Sequence, residues 1–436
     1  MLYQQQQPRF AHAQGTCINY NQTKNTITVI CNASFRDIAD TIKDQSILSN
    51  VGADGGYLLN ANLQVNDGAT FSMSQAGDGF KWLKIAGANG IIVNGTIQID
   101  GVKITSWDPS ANSVVSQNTK GSIKRAYIQF TASENSKIMN TEFANLGYNE
   151  FGRRGFDLFG RGGPSYDMEI KGSKFHDMWF GFYSTKAHNI TIDNNEFYNN
   201  IKYSVDPHSG SSNITITNNS IHDNRMGIIC SVDCYNILID GNKIYRTAQA
   251  GIFFSRGMND SIARNNYIYN ASTGIILSES SGNQIYNNTI KGASSQGILL
   301  FNPAVPSYEG LTQNNRVYNN TITNSFIGIS SSRSHNNTLA NNKFFKIGSN
   351  QYVITSKSTV LITNQDFDNA SISTGNGPAA AAGTGNIVEI KYSGPIEVLE
   401  QNDQGVTVRE YYNTNNEPVT KVVSPSLVVT TQDGDR

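Results

Sequence analysis

From residue 188 onward the chain repeats itself about every two dozen residues, and that period excludes most folds at once. The segment NITIDNNEFYNNIKYSVDPH is followed by NITITNNSIHDNRMGIICSV, NILIDGNKIYRTAQAGIFFSR, DSIARNNYIYNASTGIILSE and NQIYNNTIKGASSQGILLFN. After an insertion, NPAVPSYEGL, comes NRVYNNTITNSFIGISSSR. Two columns set the register. Asparagine recurs at Asn195, Asn219, Asn242, Asn266, Asn288, Asn320 and Asn342. A second column opens the last strand of each unit, at Gly181, Tyr203, Gly227, Gly251, Gly274, Gly297 and Gly328. Neighbours in either column are 22 to 24 residues apart, except across the insertion, which adds about eight or nine.

Each unit holds two or three short strands with apolar alternation, separated by Asn or Gly turns. No unit can bury its apolar face alone. Stacked as coils, the Ile, Val, Leu and Phe positions form one core, and the asparagines form a ladder in which each amide bonds to the next coil. Only a solenoid superposes identical residues at the interstrand spacing of about 4.8 Å. The expected fold is therefore all-β, a right-handed parallel β-helix, with GIIVNGTIQIDGVKITSW and RAYIQFTASENSKIMNTEF as earlier, less regular coils. SFRDIADTIKDQSIL, with Ser34 as N-cap and Phe35, Ile38 and Ile42 on one face, reads as an N-terminal capping helix. The organisation expected is a residual leader or disordered segment over 1–16, the β-helix with its cap over 17–375, and a partly disordered cap or appendage over 376–436, after the break GNGPAAAAGTGN.

Charged residues are only 15% of the 436, and the net charge is -1, so nothing draws the whole chain toward nucleic acid. No apolar run is long enough for a membrane span. The opening MLYQQQQPRFAHAQG ends in a small-x-small site without the apolar core of a signal peptide, and reads either as a trimmed signal or as an accident. Cys17 and Cys31 bracket a hairpin-like stretch and are expected to pair, as suits a secreted protein. Cys230 and Cys234 lack the partners of a zinc site, and Cys230 is expected to face the core. Sequons at Asn21, Asn32, Asn94, Asn189, Asn213, Asn259, Asn270 and Asn369 fit an exported glycoprotein, although several follow from the repeat itself.

One coil breaks the grammar of the others. In YSVDPH, Pro207 sits between Asp206 and His208, although proline gives a sheet no N–H. Aligned on the glycine column, His208 falls in line with Lys186, Val232, Arg256, Glu279, Asn302 and Arg333, and Asp206 shares its side of the strand. Such a stripe suits a long polymer. Outer faces of β-helices also carry charges merely because they are wet; the Asp-Pro-His triplet, with a side chain that titrates near neutrality, tips the balance toward chemistry.

At these residues the sequence resembles the mannuronan C5-epimerases, the single-domain periplasmic type above all. FANLGY, DMWFGFYSTKA, NNIKYSVDPHS, GIICS and SGNQIYNN carry the likeness, which runs from about residue 80 to about 300. The resemblance implies that His208 is an acid/base at the C5 proton, that Asp206 orients it, and that Tyr203 is a second acid/base on the opposite face of the ring. It also implies a cation on the uronate carboxylate. A proton α to a carboxylate is barely acidic, and a paired cation stabilises the enolate-like intermediate. Two departures stand out. The acidic residue the family has after the histidine is Ser209 here, and the arginine credited with neutralisation aligns with Val232. Arg256 and Lys186 are the first candidates to replace it, with Arg225 on the turn before Gly227; Glu279, Asn302 and Arg333 are expected to line the groove.

The expected activity is conversion of β-D-mannuronate to α-L-guluronate residues in an alginate-like polyuronan. A lyase that eliminates the 4-O substituent from the same intermediate, and a β-helix that binds without turnover, are the alternatives. No metal ligand set, P-loop or obligatory cofactor is read from the chain; calcium is compatible with it. A monomer, secreted, periplasmic or extracellular, with a polyuronate as partner and neither nucleic acid nor a membrane span, completes the expectation.

Overall fold

The computed structural model describes residues 17–363, apart from 52–54, 117–123, 132–133, 160–164, 307 and 356–357, together with four strands between Ile372 and Thr431. The expected leader and most of the 376–436 tail lie outside the described residues. The chain divides into two compact units, Met1–Thr191 and Ile192–Arg436. Among the described residues no helix is long and apolar enough to cross a membrane.

The first unit opens with an antiparallel hairpin, Ile18–Asn21 against Thr26–Val29, closed by the expected Cys17–Cys31 disulfide. The helix Phe35–Thr41 follows, and its start is explained by a reciprocal cap. Ser34 Oγ accepts the Asp37 N–H at 3.2 Å, and the Asp37 carboxylate accepts the Ser34 N–H at 2.8 Å. Phe35 buries its ring against Phe80, centroids 4.1 Å apart. Parallel coils come next, each contributing one strand to each of three sheets; the first of these sheets runs Asn62–Val65, Gly90–Val93, Tyr127–Phe130, Gly155–Phe159 and Phe180–Thr185. On two of these strands Asp157 is the register partner of Tyr183, and the Arg154 guanidinium lies 4.2 Å over the Tyr183 ring. Burial pushes the Asp157 carboxyl up to about 6, against the pull of Arg154.

In the second unit the repeat becomes geometry. Val205, Ile228, Ile252, Ile275, Ile298 and Ile329 stack at zero exposure along one sheet, and Ile221, Ile244, Ile268, Ile290 and Ile322 do so along another. The asparagine doublets divide the labour of a corner. The first member, as in Asn218, Asn265 and Asn287, takes a left-handed φ of 54° or 55°, which asparagine tolerates. The second is buried and forms the ladder. Asn242 sends both its backbone N–H and its Nδ2 to Asn266 Oδ1, at 2.9 and 3.0 Å, and Asn266 does the same to Asn288 Oδ1, at 3.0 and 2.9 Å. A second ladder, Asn283–Asn315–Asn337, escaped the sequence reading. The glycine column is steric. A Cβ on Gly227 would lie 2.3 Å from the Gly251 carbonyl oxygen, so each coil there touches the next by bare backbone. At the far end Thr359–Thr363 pairs in parallel with Ile387–Tyr392, so the second sheet continues past residue 375.

Two predictions follow from these burials. Replacing Asn266 by alanine orphans the buried Asn242 donors and costs about 2–5 kcal/mol, read as a drop in the unfolding free energy in urea. For Asp157, a folded pKa raised to about 6 means that the folded state holds its proton longer than the unfolded chain. Stability is then lost as pH rises from about 4 to about 6 and stays lost above. Asp157→Asn should flatten that part of the stability curve, a gain at pH 7 of up to about 3 kcal/mol.

Candidate active site

Tyr203, Asp206 and His208 all lie on one strand of the second unit, Tyr203–His208, which belongs to the sheet containing Met226–Ser231, Ala250–Ser255, Thr273–Ser278, Gln296–Phe301 and Ile327–Ser332. Alternation turns Val205 and Pro207 toward the core and Asp206 and His208 outward. The strand pairs with its neighbour at Tyr203, Val205 and His208, with Pro207 outside the paired positions. The proline is thus accommodated where its missing N–H is not asked for.

The register corrects one alignment made from sequence. Tyr203 pairs with Met226, so Ser204 stands opposite Gly227 and the whole strand is shifted by one residue relative to the glycine column. His208 therefore stacks on Ser231, Ser255 and Ser278. The residue in line with Val232, Arg256, Glu279 and Arg333 is Ser209, and all five take a left-handed φ between 45° and 67° at the same corner. Lys186 has the same backbone form, φ 51°, and is exposed, but it belongs to the first unit.

Around His208 the corner is well tied. His208 Nδ1 lies 2.6 Å from Ser209 Oγ, and the His208 carbonyl accepts both the Ser211 hydroxyl, at 2.9 Å, and its N–H, at 3.3 Å. A tautomer with Nδ1–H donating to Ser209 would make Nε2 the basic nitrogen, the form a base requires. Asp206 is 1% exposed, an outward carboxyl packed under its neighbours. Tyr203 borders an apolar patch that the sequence reading did not anticipate, in which Met226, Ile229 and Ala250 are buried and Phe253 and Ile276 partly so. The signal was present, because GIICS, GIFFS and GIILS are apolar on both faces of the strand.

The cysteines also need correction. Cys230 is buried as expected, yet it is joined to Cys234 in a disulfide that spans the corner Ser231–Val232–Asp233. That corner accepts the Ser209 and Gly210 N–H groups on the Ser231 and Val232 carbonyls, both at 2.9 Å, so the bridged turn backs the turn after His208.

The proposed groove residues divide. Arg225 is exposed, and Arg256 half-buried; among the described residues neither side chain makes a hydrogen bond or ion pair. Glu279 and Asn302 do not line an open groove, being 3% and 5% exposed. The insertion folds back over Glu279, and the residue after it returns to Asn302. Glu279 Oε1 accepts the Tyr308 N–H at 3.2 Å, and Asn302 Oδ1 accepts the Thr312 N–H at 2.8 Å. Arg333 Nε donates to the Asn302 carbonyl at 2.8 Å, which ties it to the same corner. Tyr308 itself was missed; its hydroxyl donates to Asp233, and that bond pushes the phenol up to about 12. Among the described residues there is no cluster of three or more His, Cys, Asp or Glu that could hold a metal ion.

Comparison with known proteins agrees with this architecture. A family model for a right handed beta helix region matches residues 154–307. The mannuronan C5-epimerase of Pseudomonas aeruginosa is 26% identical over 190 residues, 41% of this chain and 34% of that protein. That of Pseudomonas syringae pv. tomato is 25% identical over 217 residues, 47% of this chain and 40% of that protein. The chain thus spans between a third and two fifths of the length of these curated relatives. Among solved structures, the periplasmic alginate epimerase AlgG superposes with a TM-score of 0.65 at 22% identity, over 80% of this chain and 85% of that one. The A-module of the Azotobacter vinelandii mannuronan C-5 epimerase AlgE6 gives 0.52 at 18%, over 75% and 90%. The chain is a right-handed parallel β-helix protein similar in sequence to mannuronan C5-epimerases.

Proposed function

We propose that this protein is a C5-epimerase of a mannuronate-containing polyuronan. The observation that carries the reading is that Tyr203, Asp206 and His208 lie on one strand, with Tyr203 packed against the apolar patch of Met226, Ile229 and Ala250. Tyr203 and His208 are five positions apart on the strand, roughly 16 Å between their Cα atoms. For both to reach one sugar ring, their side chains would have to lean toward each other across that span. One can then take the C5 proton from one face while the other returns a proton from the opposite face, which is what inversion at C5 demands. The apolar patch beside Tyr203 suits the hydrophobic face of a pyranose, and the polymer axis then follows the stacking of the coils.

Removal of the proton places a second negative charge beside the carboxylate, so a cation must stand nearby. Arg256 meets this need best within the unit, since its guanidinium has no ion-pair partner among the described residues and an arginine side chain is long enough to reach across one coil. Arg225 is an exposed cation of the same unit, available to the rest of the polymer. The reaction consumes no cofactor; calcium enters the proposal only as an aid to holding the polyanion. The similarity to proteins named mannuronan C5-epimerases supports the substrate class, and the likeness to a periplasmic alginate epimerase supports a periplasmic or secreted location; a monomer is part of the proposal.

Incubation with poly-β-D-mannuronate in heavy water, followed by proton NMR, tests the reading. Deuterium at C5 and new guluronate signals are expected, without unsaturated chain ends, and His208→Ala should lower the rate at least about 100-fold with little change in Tm. Unsaturated ends would mark a lyase; no exchange on any uronan, or an active His208→Ala, would refute the assignment.

A further inference from the structure

The insertion 303–311 solves an electrostatic problem at the candidate site. Corner residues of successive coils stand about 4.8 Å apart, close enough for opposite charges to pair along the column. Arg256 has Glu279 as its neighbour in the next coil and Asp233 beside it in the preceding one, where the Asp233 N–H donates to the Arg256 carbonyl at 3.0 Å. A guanidinium between two such carboxylates should be neutralised by one of them. Instead it makes no ion pair among the described residues. Both carboxylates are engaged by one residue of the insertion: Asp233 by the Tyr308 hydroxyl, Glu279 by the Tyr308 N–H.

The site is built to admit that residue. Gly257, the residue after Arg256, has φ +83°, and a Cβ there would lie 2.4 Å from the Tyr308 hydroxyl oxygen. At Gly310 a Cβ would lie 2.6 Å from the Tyr308 ring and 2.8 Å from the Glu279 carbonyl oxygen. Glycine is thus present at two positions, one on the coil and one in the insertion, where a side chain would collide with the tyrosine.

We propose that Tyr308 is a positioning residue which holds Asp233 and Glu279 away from Arg256, and so leaves Arg256 free to take the carboxylate of a uronate residue. This deepens, and rests on, the reading of the substrate as a polyuronan. It also accounts for how the chain manages with valine at position 232, since the charge has moved one coil along and is kept unpaired by a contact from 75 residues away.

Isothermal titration of the full chain with a β-D-mannuronate hexamer, and with its methyl ester as the uncharged control, provides the test. Tyr308→Phe keeps the ring and the N–H but releases Asp233, and should weaken hexamer binding roughly 3- to 10-fold, the strength of an exposed ion pair. Adding Asp233→Asn to Tyr308→Phe should restore affinity to within about twofold, whereas a merely structural role for the tyrosine would not be repaired by that change. Asp233→Asn alone should bind like the wild type, Arg256→Ala should bind weakly, and the ester should not distinguish among them. Unchanged binding by Tyr308→Phe, or no recovery in the double variant, would overturn the proposal while leaving the polyuronan reading intact. A wild-type chain that binds no hexamer would overturn both.

Discussion

In the second unit, each coil takes its place from a buried amide. The side-chain oxygen of one asparagine receives two hydrogen bonds from the asparagine of the coil before, and the seven residues from Asn195 to Asn342 extend this through six coil-to-coil steps. These amides are nearly inaccessible to water, so a coil displaced by one residue would leave donors unsatisfied in the interior. Register is consequently strict, and strict register is what lets an outward position become a column. The candidate site exists because one coil obeys the ladder through Asn195 while altering what its last strand presents outward.

That coil departs in several linked ways. Tyr203 stands where the other coils have the residue before glycine, Pro207 occupies an inward position that needs no paired N–H, and the Cys230–Cys234 bridge stiffens the corner on which the turn after His208 rests. The result places a phenol and an imidazole at the two ends of one strand, with a packed carboxyl between. Local irregularity is thus carried by a regular scaffold whose neighbouring coils are bound to one another through both ladders and core.

Much of this could be read from the chain. The asparagine and glycine columns were legible because identical residues must superpose in a solenoid, and the cap at Ser34 was legible because capping is local. The placement of His208 was off by one, since Tyr203 fills the sequence slot of a glycine while Ser204 fills its place in space. Glu279, Asn302 and Arg333 looked like groove residues because the repeat says which way a side chain points but not what an insertion will fold over it. The Tyr308–Asp233 contact has no periodic signature at all. The Cys230–Cys234 disulfide was missed because reading Cys230 as an inward strand residue left no reason to look across the corner.

Charge neutralisation is proposed to sit at Arg256, where the resemblance would place it at Val232. Both positions share one corner column and one backbone conformation. The direct measurement is the rate of C5 deuterium exchange into polymannuronate for Arg256→Ala with and without Val232→Arg. Arg256→Ala is expected to lose most of the exchange, and the added arginine to restore a substantial part of it. Full exchange by Arg256→Ala alone would contradict this assignment.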